Sequence, residues 1–236
     1  MELSVGDVVM PGDRVKDVDS KDNQQKIILG PGLRTDGEKV YACKAGILKK
    51  RMAVYYVDSH QKRYVPSQGE NVVGVVTQKA GDIFKVDIGA SETASLSYIA
   101  FEGATKRNRP DVQVGDIVYA KLLVASKDME PELVCVDSFG KKGKLGILNP
   151  TGMYFTCSLN LVRKILNKNC PLLRLLSEEL KYELAVGMNG RIWIQSKASV
   201  ENIVAVANAI LAAEYTAPSD LQALCVSVVK SLAQLK

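Results

Sequence analysis

Three cationic side chains lie within four residues in a short, polar stretch of the chain. Lys106, Arg107 and Arg109 occur in the order K-R-N-R-P, and Pro110 ends this basic loop (residues 106–110). Pro110 biases the residue before it toward an extended backbone, which helps to hold the Arg109 guanidinium away from the other cations. Such cations can neutralise phosphates, and the same composition also occurs in ordinary solvated loops. The loop is therefore a candidate polyanion surface, which the net charge of +5 permits but does not require.

Two aromatic residues stand shortly before the basic loop. Tyr98 and Phe101 precede Lys106 by eight and five residues. Rings beside cations are typical of surfaces for single-stranded nucleic acid, because bases stack on the rings while the cations contact phosphates. Large rings are nevertheless more often buried than exposed, so we expect both rings to belong to a hydrophobic core.

A second candidate is the tetrad G-M-N-G at 187–190, which lies between the strand-like runs Glu183–Val186 and Arg191–Gln195. Asn-Gly in this position predicts a β-hairpin, because both residues tolerate a positive φ. A G-x-x-G loop can clamp a nucleic-acid backbone, but it ordinarily joins two helices. We therefore favour a structural role, in which small residues allow close packing on the preceding domain. That contact is assigned to Gly187, Asn189, Gly190 and the only tryptophan, Trp193, whose indole N–H would need a hydrogen-bond partner.

The residues that usually carry catalysis or bind metal ions are sparse. His60 is the only histidine, the G-x-x-x-x-G-K-[ST] phosphate loop is missing, and the acidic residues are scattered. The five cysteines show no C-x-x-C spacing, which argues against zinc and disulfides and suits a reducing compartment. The sequence therefore predicts no catalytic residue, no metal and no cofactor, and it disfavours an enzyme such as a nuclease.

Nothing in the sequence predicts a membrane partner. The N-terminus lacks the basic and apolar segments of a signal peptide. The longest apolar run, Ile203–Ala213, is too short to cross a bilayer. We expect this run to be a buried helix of a soluble intracellular protein.

The first two-thirds of the chain has the pattern of β structure, and the last third changes to longer helical patterns. Short runs rich in Val, Ile and Tyr alternate with Gly, Asp and Pro turns, which favours small barrels. The predicted strands are Asp7–Met10, Lys26–Leu29, Lys39–Leu48, Met52–Val57, Asn71–Thr77, Ile83–Ile88, Ala94–Ile99, Asp116–Val124 and Glu132–Asp137. The predicted helices are Leu159–Leu166, Pro171–Leu180, Ser199–Glu214 and Asp220–Leu235.

Turn-rich seams near residues 67 and 150 divide the chain into three segments. The middle segment holds five strand candidates between residues 71 and 137, which is the span of an OB-fold. In one of them Phe84, Val86 and Ile88 alternate with a mixed set of residues, as a strand with one buried face requires.

Several strings of the sequence are specific in combination. They are M-P-G-D at 10–13, S-L-S-Y at 95–98, F-E-G-A-T-K-R-N-R-P at 101–110, V-Q-V-G-D at 112–116 and G-M-N-G-R-I-W-I at 187–194. In this order, and along essentially the whole chain, they closely resemble the cap subunits of the eukaryotic RNA exosome known as the exosome component 3 family.

The resemblance implies an α+β multidomain fold. It comprises an N-terminal small β domain at 1–66 that contacts the ring of the complex, a central S1-type OB-fold β-barrel at 67–150 that binds RNA, and a C-terminal KH-like α/β domain at 151–236. Lys106, Arg107 and Arg109 would line the RNA entrance. Gly12 and Asp13 would lie at a subunit interface.

In function, the resemblance implies a non-catalytic cap subunit that guides single-stranded RNA into the ring channel for 3′→5′ exonucleolytic processing and decay. Its partners would be single-stranded RNA, the ring and cap subunits of the exosome and an associated exoribonuclease. Its tasks would include rRNA processing, RNA surveillance and mRNA turnover, in the nucleus, the nucleolus and the cytoplasm. The residues alone leave open a purely architectural subunit and a generic OB-fold RNA-binding protein.

Overall fold

The computed structural model of the chain describes residues 4–15, 28–37, 39–126 and 128–234. The chain forms two compact units, Met1–Gln61 and Lys62–Lys236. The second unit is not divided further near residue 150, so the predicted domain boundary there stays a prediction. Among the described residues, no helix is long and apolar enough to cross a membrane.

The first unit is a small β structure. Its sheet has the order β1-β5-β6-β2, in which β2 is parallel to β6 and the other pairs are antiparallel. A separate hairpin consists of β3 and β4. The strands are β1 (Val8–Val9), β2 (Ile28–Leu29), β3 (Leu33–Asp36), β4 (Lys39–Ala42), β5 (Gly46–Arg51) and β6 (Val54–Asp58). The core consists of Val9, Val15, Val40, Ala42, Leu48 and Val57.

The strand predictions for this unit contain one error and one omission. Lys39–Leu48 is not one strand, because β4 pairs with β3 while β5 pairs with β1 and β6. The chain therefore changes sheets between Ala42 and Gly46. The sequence does not predict β3, since Leu33–Asp36 is mostly polar and lacks an alternating apolar face. Residues 26 and 27 of the predicted strand Lys26–Leu29 lie outside the described residues.

The second unit begins with a closed five-stranded barrel. Antiparallel pairs run in the order β9-β8-β7-β10-β11, and a parallel pair between β9 and β11 closes the circle. These strands are β7 (Asn71–Ala80), β8 (Ile83–Asp87), β9 (Ala94–Ser97), β10 (Ile117–Val124) and β11 (Glu132–Val134). The barrel confirms the predicted OB-type architecture of the middle segment.

The barrel core is filled from the alternating positions that the sequence indicates. Phe84, Val86 and Ile88 are all buried, whereas Ile83 is exposed. Gly74 in β7 faces this layer, and a Cβ at that position would collide with the Val86 side chain. The close approach of two strands therefore requires a residue without a side chain.

Three barrel strands end two or more residues away from their predicted ends. The run Ala94–Ile99 stops at Ser97, whose hydroxyl accepts a hydrogen bond from the Ile99 N–H and caps a 3₁₀ turn at Tyr98–Ala100. Glu132–Asp137 stops at Val134, because the chain turns back at Asp137. The strand predicted as Asn71–Thr77 continues to Ala80 after a register shift beside Thr77.

The rest of the second unit packs helices on a three-stranded sheet. The sheet order is β13-β15-β14, all antiparallel, and a short strand β12 extends the barrel at β10. The strands are β12 (Gly146–Ile147), β13 (Met153–Thr156), β14 (Glu183–Val186) and β15 (Arg191–Gln195). The helices are α1 (Leu159–Leu166), α2 (Leu172–Glu179), α3 (Val200–Ala212) and α4 (Leu221–Gln234), within two residues of the predicted bounds at each end.

Local hydrogen bonds define the ends of two helices. The hydroxyl of Ser158 accepts from the N–H of Leu161 at the start of α1, and Ser199 does the same for α3. At the other end of α3, the ammonium group of Lys164 donates to the carbonyl oxygens of Ala213 (2.6 Å) and Thr216 (2.8 Å). A cation at a helix C-terminus offsets the unpaired carbonyls there, so Lys164 fastens α1 to α3.

We expect Lys164→Met to lower the free energy of unfolding of the second unit by about 1–2 kcal/mol. The variant keeps an apolar stem but loses two charge-assisted hydrogen bonds. Urea unfolding can be followed by the fluorescence of Trp193, the only tryptophan, which lies in the same unit. Lys168→Met is the matched control because its side chain is exposed. Equal unfolding midpoints for both variants would contradict the role assigned to Lys164.

Candidate nucleic-acid interface

The basic loop belongs to the connection between β9 and β10 and is held by its own hydrogen bonds. The side-chain amide of Asn108 donates to the carbonyl oxygen of Gly103 (3.3 Å). Thr105 and Asn108 exchange two further bonds, in which the N–H of Asn108 donates to Thr105 Oγ1 (3.1 Å) and the N–H of Thr105 to the Asn108 carbonyl oxygen (3.0 Å). Lys106 and Arg107 lie inside this small turn, and both are exposed.

Arg109 is held against the barrel. Its Nη1 lies 2.9 Å from Asp82 Oδ1, and its Cζ lies 4.8 Å from the centroid of the Tyr98 ring. The two charged side chains are 54% and 60% exposed, so their ion pair contributes at most about 1 kcal/mol. A phosphate at Arg109 would nevertheless compete with a carboxylate that is already present.

Lys106 and Arg107 differ from Arg109 because neither has a partner in the described part of the chain. No ion pair, hydrogen bond or ring contact involves either side chain there. An exposed, unpaired cation can exchange its hydration for a phosphate oxygen without first breaking an ion pair. The structure therefore divides the three predicted cations into two free ones and one that is engaged.

The rings of Tyr98 and Phe101 belong to the barrel core, which confirms the prediction. Tyr98 is 4% exposed, and Phe101 is half-buried against the same core cluster. Because Arg109 also lies over the Tyr98 ring, that ring has no free face for a base.

The tetrad at 187–190 forms the predicted hairpin turn between β14 and β15 and faces the barrel. Asn189 is 8% exposed and uses its whole side-chain amide on barrel backbone. Its Nδ2 donates to the carbonyl oxygens of Val73 and Ile88, both at 2.8 Å. Its Oδ1 accepts from the N–H of Val73 at 3.2 Å. This single side chain therefore satisfies three backbone groups of the barrel.

The backbone of the tetrad is also engaged within the fold. The N–H of Met188 donates to the Asn71 carbonyl oxygen (2.8 Å), that of Gly187 to Arg191 (2.9 Å), and that of Gly190 to Gly187 (3.2 Å). A phosphate clamp requires free N–H groups, and three of the four are occupied. The arrangement favours the structural role of the tetrad over the clamp.

The two glycines of the tetrad allow this close approach. A Cβ on Gly187 would lie 2.6 Å from the backbone nitrogen of Val73 and would also collide with Asn189 Oδ1. Gly190 has a φ of +79°, and a Cβ there would lie 2.7 Å from the carbonyl oxygen of Cys157. Any larger residue at either position would push the hairpin away from its neighbours.

Trp193 packs at the same junction, but without the expected hydrogen bond. The residue is 4% exposed and clusters with Val73 and Ala185. Gly152 lies against the indole, since a Cβ on Gly152 would overlap the ring. The indole N–H has no acceptor among the described residues, so the prediction of a partner is wrong. Trp193 is therefore held at this junction by packing and not by a hydrogen bond from its indole nitrogen.

An ion pair that the sequence does not predict spans the same junction. Arg191 Nη2 lies 2.6 Å from Asp87 Oδ2, and Nη1 donates to the Asp87 carbonyl oxygen at 2.6 Å. Burial raises the pKa of Asp87, but the hydrogen bond from Arg191, the N–H of Gly89 and the guanidinium charge outweigh it, so the pKa is lowered. The only sequence signal was a cation directly after the tetrad, because its partner lies 104 residues away.

Gly12 and Asp13 form a tight turn in the first unit. Gly12 has a φ of +96°, and Asp13 Oδ2 accepts a hydrogen bond from the N–H of Met10 at 2.7 Å. A Cβ on Gly12 would meet no atom within 4 Å, so a substitution there would act through backbone strain. The assignment of both residues to a subunit interface stays a prediction.

Three family models match this chain in consecutive segments. The model described as "Mammalian exosome complex component RRP40, N-terminal" matches residues 6–60. "Exosome complex component RRP40, S1 domain" matches residues 64–146, and "KH domain" matches residues 152–200. The barrel and the sheet with its helices therefore correspond to an S1 domain and a KH domain.

Individual proteins are similar over most of their length. The exosome complex component RRP40 of Drosophila melanogaster is 50% identical over 219 residues, which cover 92% of this chain and 94% of that protein. The RRP40 component of Homo sapiens is 47% identical, with 80% of this chain and 71% of that protein covered. A solved structure described as an exosome complex RNA-binding protein has a TM-score of 0.61 at 21% identity, covering 74% of this chain and all of that one, and supports the fold.

We expect Asn189→Asp to destabilise the second unit by about 3–5 kcal/mol at neutral pH. A carboxylate cannot donate to the carbonyl oxygens of Val73 and Ile88, and it would be a buried, uncompensated charge. Burial would raise the pKa of the new carboxyl, so the loss should shrink as the pH is lowered and the group takes up a proton. Urea unfolding monitored by Trp193 fluorescence at two pH values measures both effects.

Asn169→Asp is the control for this substitution, because Asn169 is exposed. It makes the same chemical change without burial, and we expect it to leave the unfolding midpoint unchanged. An Asn189→Asp variant as stable as this control would contradict the role assigned to the amide.

The ion pair of Asp87 predicts a contribution to acid stability. Because the folded-state pKa of Asp87 is lowered, its stabilising effect is present above the ordinary value of 3.8 and is lost as the pH falls from there through the folded-state pKa. We expect Asp87→Asn to be less stable than wild type at neutral pH and to lose less stability in this acid range. Urea midpoints measured between about pH 6 and pH 2 test this, with the exposed Glu92→Gln as control. Parallel curves for Asp87→Asn and wild type would contradict it.

Proposed function

Because this chain belongs to the RRP40 family of exosome complex components, we propose that it is a non-catalytic cap subunit that guides single-stranded RNA into the ring channel. In this role it would hand the RNA to a separate 3′→5′ exoribonuclease. The family names and the S1 and KH domains support RNA binding and membership of the complex. Guidance through the channel is our inference from the surface of the barrel.

The observation that carries the proposal is the pair of free cations at the tip of the basic loop. Lys106 and Arg107 are exposed on an OB-type barrel and unpaired in the described ranges, while Arg109 beside them is engaged by Asp82. Free cations on such a barrel can follow a phosphate backbone without reading its sequence. This is the chemistry that a subunit needs if it passes many different RNAs to one nuclease.

The proposal that the chain does not cut RNA rests on the chemistry of the candidate surface. Hydrolysis assisted by metal ions needs convergent carboxylates. Asp82, the carboxylate that contacts Arg109 of the basic loop, is paired with that guanidinium instead. Within the described ranges, no group of three or more His, Cys, Asp or Glu side chains is placed to hold a metal ion.

We propose that the first unit contacts a ring subunit of the exosome. Val8 is 68% exposed, Met10 58% and Ile47 42%, and Val8 lies opposite Ile47 in the pairing of β1 with β5. These apolar side chains adjoin the turn that contains Gly12 and Asp13. Exposed apolar side chains beside a rigid turn are suited to a stable protein contact.

The biological setting follows from the family alone. We propose that the protein acts in rRNA processing, RNA surveillance and mRNA turnover. We propose further that it is present in the nucleus and the nucleolus, and also in the cytoplasm. Fluorescent tagging of the full chain, followed by localisation in cells, tests the second proposal directly.

We expect the double variant Lys106→Ser/Arg107→Ser to lose affinity for single-stranded RNA while its incorporation into the exosome stays intact. If each cation neutralises one phosphate, the slope of log affinity against log salt should fall in magnitude by about 1.4. Fluorescence anisotropy over a salt series measures the slope, and affinity purification of the tagged variant measures incorporation.

The control removes the same number of positive charges at another place on the surface. Lys168→Ser/Lys230→Ser removes two exposed cations far along the sequence from the basic loop. Loss of incorporation with unchanged RNA binding in the Lys106→Ser/Arg107→Ser variant would favour the purely architectural role. Degradation of RNA by the purified wild-type protein would overturn the non-catalytic assignment.

A further inference from the structure

A second basic loop, here the Phe139 loop (residues 137–146), follows β11 and is internally braced. Oδ1 of Asp137 accepts from the backbone N–H groups of Phe139 and Lys141, both at 2.9 Å. The N–H of Asp137 donates to the carbonyl oxygen of Lys141 at 2.8 Å, and that of Gly140 donates back to Asp137 at 3.1 Å. The backbone at the tip of the loop is therefore a defined turn, which fixes the directions in which its side chains leave the chain.

This turn holds an aromatic ring out in solvent. Phe139 is 85% exposed, whereas Phe84 is 2% exposed and Phe101 and Phe155 are at least half-buried. An isolated apolar side chain at a surface is ordinary, but this one stands on a braced turn next to lysines. A ring on a preorganised backbone has only its own side-chain torsions left to order when a flat partner stacks on it.

Three cations accompany the ring. Lys141, Lys142 and Lys144 are exposed, and in the described residues no carboxylate forms an ion pair with any of them. The stem of Lys142 passes beside Gly146, where a Cβ would lie 2.8 Å from its Cε. Substitution of Lys141 and Lys144 therefore removes two exposed, unpaired cations of this loop without changing the side chain that packs beside Gly146.

The Phe139 loop is tied to the segment that precedes the basic loop. Oε2 of Glu102 accepts a hydrogen bond from the N–H of Lys142 at 2.8 Å. Glu102 stands four residues before Lys106, and four residues span at most about 14 Å. The free cations of both loops are therefore close enough to contact one RNA strand of the roughly 4–16 nucleotides that an OB-fold binds.

We propose that the Phe139 loop is a second RNA-binding site on the barrel, in which Phe139 stacks on a base while Lys141 and Lys144 neutralise neighbouring phosphates. The same RNA strand would continue to Lys106 and Arg107 on the basic loop. This inference rests on the proposed RNA-binding function and adds the stacking platform, because Tyr98 and Phe101 are committed to the core. Stacking is tolerant of sequence, since every base has an aromatic face.

Single-site substitutions in the full chain test the ring. The probe is a fluorescein-labelled oligouridylate of about 16 nucleotides, and the readout is fluorescence anisotropy at low salt. We expect Phe139→Ala to weaken binding roughly 5- to 150-fold, with little change in the salt slope because no charge is removed. Tyr215→Ala is the matched control. Tyr215 is 90% exposed and lies far along the chain from the Phe139 loop, so its loss should have no effect on RNA binding.

A charge variant tests the lysines independently. We expect Lys141→Ser/Lys144→Ser to reduce the magnitude of the salt slope by about 1.4, and Lys168→Ser/Lys230→Ser to leave it unchanged. Photocrosslinking of the same oligonucleotide carrying 4-thiouridine should place a crosslink on the peptide that contains Phe139.

The outcomes separate this site from the proposed function. If Lys106→Ser/Arg107→Ser weakens binding but the Phe139 and lysine variants behave like their controls, the second site is overturned and the function stands. If wild type binds no RNA at low salt, both are overturned. If Phe139→Ala abolishes incorporation into the exosome and leaves RNA binding unchanged, the loop is a protein contact and the second site is again overturned.

Discussion

The buried side-chain amide of Asn189 joins the barrel to the hairpin of β14 and β15 through three hydrogen bonds. The last residue pair that β7 forms with β8 toward this junction is Val75 with Asp87, so the N–H and carbonyl of Val73 have no strand beside them there. The Asn189 amide fills this position, accepting from the N–H and donating to the carbonyl as a backbone peptide of a neighbouring strand would. An unpaired buried backbone group costs about 1–3 kcal/mol, so the barrel edge and the hairpin each satisfy a need of the other. The Trp193 ring and the Arg191 ion pair then occupy space that this contact defines.

Charge in this protein acts through local pairing rather than through its total. Arg109 and Arg191 carry the same guanidinium group, yet each is engaged by an aspartate, and Arg191 is only 13% exposed. Lys106 and Arg107 have the same formal charge, but neither has a carboxylate partner in the described ranges, so both remain free to bind a polyanion. A net charge of +5 cannot distinguish these cases, because a cation that is already paired contributes little to new contacts. The proposed surface for RNA is therefore defined by the cations that lack a carboxylate partner.

The sequence predicts what depends on neighbours along the chain. Helix α1, the hairpin of β14 and β15, and the alternation at Phe84 and Val86 all follow from local periodicity and turn chemistry. The sequence does not predict β12 or β13, because short strands are defined by the strands they pair with. It also misses the pairing of Asp87 with Arg191 and the engagement of Arg109 by Asp82, since both require the fold to bring distant residues together. The exposure of Phe139 is of the same kind, because composition does not reveal which ring the core leaves outside.

The Asn189-Gly190 pair also makes the unfolded state of this unit prone to an irreversible covalent change. In a flexible chain, the backbone nitrogen of a glycine after asparagine attacks the side-chain carbonyl carbon and expels ammonia, which closes a succinimide ring. Water then opens this ring to aspartate or isoaspartate, so asparagine in such a position is thermolabile. In the folded protein the Gly190 N–H donates to Gly187, and the Asn189 amide is fixed by three hydrogen bonds, so neither group is free to react. A molecule that stays unfolded long enough is deamidated at Asn189. It then carries a carboxylate where the barrel needs the Asn189 N–H donor. The junction that joins the two domains is thus also the place where damage to an unfolded chain becomes permanent.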